Sequence, residues 1–120
     1  MTVQVTIIGM GQIGTSVGLA LAQHSDQVHR VGHDKEIAAA NQAKKMGALD
    51  RVDLNIPHAV ENAGLVIMAV PIDQVQDTLK AMAQDLRPDV VVMDMAPVKE
   101  TTMTWARELL PAHTHYIGLV

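Results

Sequence analysis

An α/β fold with a parallel sheet is the class this sequence predicts, on two observations. Apolar strand-like runs and amphipathic helix-like stretches alternate from one end of the chain to the other. Their layered solution is a parallel sheet with helices on both faces. The first unit also carries a special turn. Gly9-Met10-Gly11-Gln12-Ile13-Gly14 follows the apolar run of Val3, Val5, Ile7 and Ile8, and leads into an alanine-rich helix. A second apolar run, Val28 to Gly32, then ends at His33-Asp34. Strand, glycine turn, helix, strand and acid, in that order, are the sequence form of a dinucleotide-binding unit.

The elements follow from periodicity and punctuation. In the first helix Ile13, Val17, Ala20 and Leu21 recur at helical spacing and are expected to face the sheet, with Gly18 and Ala22 permitting close approach. Residues 36–46 read as a second helix, with Lys44 and Lys45 in its last turn and Gly47 as its stop. Residues 51–54 read as a short edge strand and 57–62 as a brief helix. Residues 65–70 are continuously apolar, as in a strand buried on both faces, and Pro71 stops them. Ile72, Val75, Leu79 and Met82 mark another amphipathic helix. Residues 89–94 give the next strand, Pro97 suits a helical first turn, and a helix continues to Leu110. Residues 114–118 form the last strand. The expectation is a doubly wound, Rossmann-type parallel sheet in one domain over residues 1–120.

Bulk numbers narrow the function. Hydrophobic content of 48% and charged content of 18% exclude a disordered chain. A net charge of −4 and a pI near 5.8, with no basic stripe, argue against a nucleic-acid surface. The absence of cysteine removes disulfides and thiolate chemistry. No charged segment precedes the first apolar run, and no stretch approaches a membrane-spanning length, so a cytoplasmic location without membrane contact is expected. Aromatics are nearly absent, with Trp105, Tyr116 and no Phe; Val, Ile, Leu, Ala and eight Met must therefore fill the core.

In a parallel sheet of this kind ligands bind beyond the carboxyl ends of the strands. Three loops converge there: residues 9–14, 69–72 and 95–98. Gly9 turns the chain sharply, Gly11 lets main chain approach a pyrophosphate, and Gly14 lets the helix close on the strand. Gln12 and Ile13 complete this phosphate loop, and the helix N-terminus offers unpaired N–H groups. Asp34 stands 20 residues beyond Gly14, the offset at which a carboxylate meets ribose hydroxyls and favours NAD. Lys35 beside it leaves NADP open. Ala69, Val70, Pro71 and Val75 are expected to wall the adenosine and ribose side, with 95–98 nearest the nicotinamide. Thr15 and Ser16 read as first-turn residues without a ligand role. His33 lies near the adenosine end. His113 and His115 precede the last strand, away from the crevice, and lack a third metal ligand.

Residues 7–14, Val31-Gly32-His33-Asp34, 65–71, Asp94-Met95-Ala96-Pro97-Val98-Lys99 and Tyr116-Ile117-Gly118 fall in order. Together they resemble the N-terminal nucleotide-binding domain of prephenate and arogenate dehydrogenases, within the 6-phosphogluconate dehydrogenase-like superfamily. The resemblance covers nearly the whole chain. It implies NAD(P)-dependent oxidative decarboxylation of a cyclohexadienyl acid on the route to tyrosine. It also implies a second, helical domain for substrate and homodimer formation, absent from residues 1–120. Two positions depart from the family. Pro97 stands where the family has a serine, and Pro has neither hydroxyl nor N–H. The family's catalytic histidine position falls on Val120, which cannot accept a proton. Lys99 is placed to approach a substrate carboxylate, and Asp94 either orients its loop or caps the next helix. No catalytic residue is assigned. The alternatives are a non-catalytic NAD(P)-binding module and a superfamily dehydrogenase or reductase for another small acid.

Overall fold

The computed structural model describes residues 2–96 and 99–118, with the backbone alone for residue 99. Pro97, Val98 and Val120 therefore lie outside the described residues, as does the Lys99 side chain. Strands β1 (Val3–Ile8), β2 (Val28–His33), β3 (Arg51–Val52), β4 (Leu65–Met68), β5 (Val91–Asp94) and β6 (His115–Gly118) form one sheet. Its order is β3-β2-β1-β4-β5-β6, and every pairing is parallel. Helices α1 (Gln12–Leu21), α2 (Ile37–Lys45), α3 (Ile56–Val60), α4 (Ile72–Met82) and α5 (Lys99–Leu109) connect the strands. The doubly wound class expected from the sequence is the observed one. The strands are trimmed relative to the apolar runs, because Val70 and Pro71 already belong to the loop after β4.

The register fixes where a ligand can sit. Ile8 pairs with His33 on one side and Met68 on the other, Met68 with Asp94, and Asp94 with Gly118. The carboxyl ends of five strands thus end on one line. The chain reverses direction across the sheet between β1 and β4, which opens the crevice there.

Each face of the sheet buries its own core. Ile8, Val66, Met68 and Val92 meet Val75, Leu79 and Met82 of α4, with Ala106 of α5 and Trp105 against them. Val5, Ile7 and Ile67 meet Ala40 and Ala43 of α2, with Val17 and Leu21 of α1 packed alongside. Met68 and Met82 fill core space as expected, whereas Met103 is exposed.

The face of α1 is the expected one in part: Val17 and Leu21 pack on the core, and Ile13 and Ala20 do not. Ile13 is 54% exposed and Ala20 is exposed, while Gly14, Thr15 and Gly18 are buried. A Cβ on Gly18 would lie 2.3 Å from the Ala48 carbonyl oxygen. At Gly18 the helix sits so close to the chain beneath it that only a small residue fits.

A buried cation, unread in the sequence, ties this side together. Arg30 of β2 is 6% exposed. Its guanidinium meets the Asp50 carboxylate at 3.1 and 3.2 Å and donates to the carbonyls of Gly18 at 2.9 Å and Gly47 at 2.6 Å. Hydrogen bonds from Arg30 hold the Asp50 carboxyl below its ordinary value, outweighing the opposing effect of burial.

On the other side, the Asp94 carboxylate is fully buried at the end of β5. It accepts the Ala96 N–H at 2.8 Å and the Tyr116 hydroxyl of β6 at 2.5 Å. Burial first, and then the neighbouring Asp94 carboxylate, raise the Tyr116 hydroxyl well above its ordinary value. Tyr116 is therefore a committed donor, and Asp94 orients the loop that leaves β5.

Two outcomes follow. A carboxyl held low in the fold stabilises above its unfolded value of 3.8 and loses that contribution as pH falls through the folded value. Urea denaturation should thus show a wild-type advantage over Asp50→Asn at pH 7 that shrinks by pH 3. Tyr116→Phe should cost about 1–3 kcal/mol in the same assay, the usual cost of removing a donor from a buried charged acceptor.

Candidate functional site

The described parts of the three expected loops, with the third represented by Met95 and Ala96, meet at the carboxyl ends of β1 and β4 around a cleft of about 970 Å³. Gly9 has φ +98°, a conformation that L side chains rarely adopt. Its N–H donates to the His33 carbonyl at 2.8 Å, and the Ala69 N–H donates to the Ile8 carbonyl at 2.8 Å. A Cβ on Gly9 would fall 2.6 Å from the Ala69 carbonyl oxygen. One on Gly14 would fall 1.9 Å from the Gly9 carbonyl oxygen. Main chain thus packs on main chain at both positions.

Gly11 is different. Nothing lies within 4 Å of the place its Cβ would occupy. It is the N-cap of α1, with extended backbone and no side-chain cap. The first-turn N–H groups of α1, which have no carbonyl partner within the helix, therefore meet no capping side chain. Thr15 is buried and donates its hydroxyl to the Met10 carbonyl at 3.2 Å, so it braces the loop from behind.

Asp34 does two things. Its Oδ2 accepts the Met10 N–H at 2.7 Å and its Oδ1 accepts the Glu36 N–H at 2.8 Å. The carboxylate therefore locks the glycine loop to the exit of β2. Each oxygen keeps a further lone pair for a hydroxyl donor. The bracing role was invisible in the sequence, since it depends on a main-chain N–H 24 residues away.

Of the residues expected to touch a coenzyme, Gly9, Gly11, Gln12, Ile13, Asp34, Lys35, Ala69, Val70 and Pro71 line the cleft. Gly14 lies behind it, holding α1 on the loop. Val75 does not line the cleft, and that expectation is corrected: it is fully buried in the core against β4 and β5. On α4 the cleft is lined instead by Gln74, Thr78 and Ala81, one residue out of phase with Val75, Leu79 and Met82. Ile56 of α3 and His33 of β2 are further lining residues that sequence reasoning did not place in the wall. Periodicity holds the signal for the α4 stripe; nothing local marks Ile56.

Charge on the wall is mostly negative. Among the described lining residues Lys35 is the one lysine or arginine, beside Asp34, Glu36 and Asp77. An anionic ligand here is met by main-chain N–H groups rather than by a cationic cluster. His113 and His115 sit at the opposite end of the strands. One lies within 3.2 Å of the Leu86 carbonyl and the other 3.5 Å from Asp89.

Comparison with known proteins bears on this geometry. Cyclohexadienyl dehydrogenase of Zymomonas mobilis is 32% identical over 109 residues, 91% of this chain and 37% of that protein. Prephenate dehydrogenase of Bacillus subtilis is 25% identical over 115 residues, 95% of this chain and 31% of that protein. This chain thus spans about a third of the length of these relatives. A crystal structure of prephenate dehydrogenase from A. aeolicus, in complex with hydroxyphenyl propionate and NAD+, superposes with a TM-score of 0.85. The overlap takes in 98% of this chain and 41% of that one at 20% identity, and shows a common fold. The family described as prephenate dehydrogenase, nucleotide-binding domain, matches residues 17–119, and the chain belongs to it.

Proposed function

We propose that this chain is the coenzyme-binding part of an NAD-dependent dehydrogenase of the prephenate type. One observation carries the reading: at Gly11 bare main chain and an uncapped helix start face an open cleft, and a carboxylate stands at the end of β2.

The residues present fit a nicotinamide dinucleotide. The cleft volume lies at the upper end of the range of about 300–1,000 Å³ typical of ligand sites. Gly11, Gln12 and Ile13 would hold the pyrophosphate through main-chain N–H groups and the helix dipole. Asp34 would accept the ribose hydroxyls. Ala69, Val70 and Pro71 would give an apolar wall to the adenosine side, with Met95 and Ala96 toward the nicotinamide. When bound, the nicotinamide supplies a hydride acceptor. The carboxylates of Asp34 and Glu36 oppose a 2′-phosphate more than Lys35 alone favours it, which supports NAD over NADP. Asp94 and Tyr116 fix the start of the loop that runs toward Lys99.

The substrate side rests on the relatives. Their names support a dehydrogenase acting on a cyclohexadienyl acid; oxidative decarboxylation on the route to tyrosine, and a second helical domain for substrate and homodimer formation, are what the family resemblance implies. Within residues 1–120 no general base is assigned, because the family histidine position is Val120. Among the described residues no helix is long and apolar enough to cross a membrane; the proposed site of action is the cytoplasm.

Titration calorimetry tests this directly. The native chain should bind NAD more tightly than NADP; no heat with either would end the proposal. Gly11→Val should cost no more than about 1–2 kcal/mol in urea stability, the loss of a good N-cap with the Cβ in open space, yet weaken NAD binding at least about tenfold by filling the phosphate cradle. Asp34→Ala should weaken NAD binding and narrow the gap to NADP.

A further inference from the structure

The wall of the cleft holds one polar side chain that the binding scheme above leaves unused. His33 is 8% exposed and lines the cleft at the end of β2. Its Nδ1 lies 2.9 Å from the main-chain carbonyl oxygen of Asp53. A carbonyl oxygen can only accept, so Nδ1 must carry the proton. In the neutral ring Nε2 is then an acceptor.

The carbonyl that imposes this choice is itself held. The Asp53 N–H donates to the Gly32 carbonyl at 2.9 Å. Its side chain accepts from Asn55 N–H at 3.0 Å and from Arg51 at 2.7 Å, and it also contacts His58. Burial pushes the Asp53 carboxyl up, but these partners outweigh it and hold it below its ordinary value. The residue behind His33 is thus an anchored, charged clamp, which gives the imidazole a fixed orientation.

Among the described residues no hydrogen bond to Nε2 is formed. Among the described residues no buried side-chain nitrogen or oxygen lacks one, so Nε2 must reach accessible surface, and His33 opens on the cleft. Asp34 follows His33 directly and is engaged with the glycine loop and the ribose side. His33 therefore stands in the cleft wall beside the carboxylate proposed to hold the ribose. The polar groups of α4 in the same wall, Asp77 and Gln74, include a second acceptor-only side chain in Asp77. A base there meets acceptors, and gains by carrying a donor.

We propose that His33, fixed as an Nε2 acceptor by the Asp53 carbonyl, selects an amine-bearing purine at the adenosine end of the cleft. The inference rests on the coenzyme reading above and deepens it. It names the group that separates adenine, whose exocyclic amine donates, from hypoxanthine, whose carbonyl at the same position accepts. Against a fixed acceptor, the carbonyl leaves two buried acceptors facing each other, a mismatch that discriminates strongly.

The test is titration of the 120-residue chain at pH 8 with NAD and with nicotinamide hypoxanthine dinucleotide. NAD should bind about tenfold more tightly. In His33→Asn the side-chain amide can still donate to the Asp53 carbonyl but has no atom at the Nε2 position. It should keep its fold by circular dichroism and bind the two dinucleotides within about twofold of each other. His33→Gln, which places an amide oxygen near the Nε2 position, should recover part of the preference. Equal binding of the two dinucleotides by the native chain overturns the inference while leaving the coenzyme reading intact. So does a preference that survives in His33→Asn but disappears in Asp77→Asn. Failure of the native chain to bind NAD at all removes the coenzyme reading, and this inference with it.

Discussion

The architecture depends on two places where main chain lies directly on main chain. Helix α1 rests on the Gly9 carbonyl through Gly14, and the glycine loop rests on the Ala69 carbonyl through Gly9. Both contacts lie at the carboxyl ends of β1 and β4, where the order of the sheet reverses. Side chains cannot enter such contacts without moving backbone, and close-packed interiors resist that movement. The phosphate loop is therefore held from below by sterics. It is held from the side by Asp34, which spans from β2 to the Met10 N–H. The cleft is a by-product of this bracing. The same contacts that fix the loop leave Gly11 with nothing in front of it.

Much of this was legible in the sequence, for reasons that can be stated residue by residue. Glycines at 9, 11 and 14 and an acid at 34 mark local geometry and a fixed offset, so the coenzyme unit could be located by inspection. Runs such as Val66 to Met68 and Val90 to Val92 have no polar interruption, which implies burial on both faces and hence a parallel sheet. What failed was phase. On α4, Val75, Leu79, Met82 and Gln74, Thr78, Ala81 form two parallel stripes one residue apart. Hydrophobicity says which stripe is core, and Val75, expected in the wall, belongs to that stripe. On α1 the apolar count pointed to Ile13 along with Val17 and Leu21; the last two pack on the core, but the closest approaches are made by Gly14 and Gly18, which carry no hydrophobic signal.

The remaining features were unreadable because they are long-range and involve main chain. Arg30 reads as an interruption of an apolar run, and nothing near it announces Asp50 or the carbonyls of Gly18 and Gly47. His33 reads as one more histidine until the Asp53 carbonyl assigns its tautomer. Asp94 was open between two roles; its contacts with Ala96 and Tyr116 support the orienting one, while the positions just before the next helix, where a cap would act, lie outside the described residues. Family membership fits this division. The match to the nucleotide-binding domain of prephenate dehydrogenases covers residues 17–119, so the shared pattern lies in the strands and helices that follow the glycine loop.

The guanidinium of Arg30 carries a thermodynamic implication. One planar cation bonds the middle of α1, the turn that ends α2 and the acid before β3, all from a seat inside β2. These segments cannot open independently without stranding a buried positive charge, so they should fray as a single cooperative block. Whatever steadies α1 therefore also steadies the turn that ends α2 and the acid before β3.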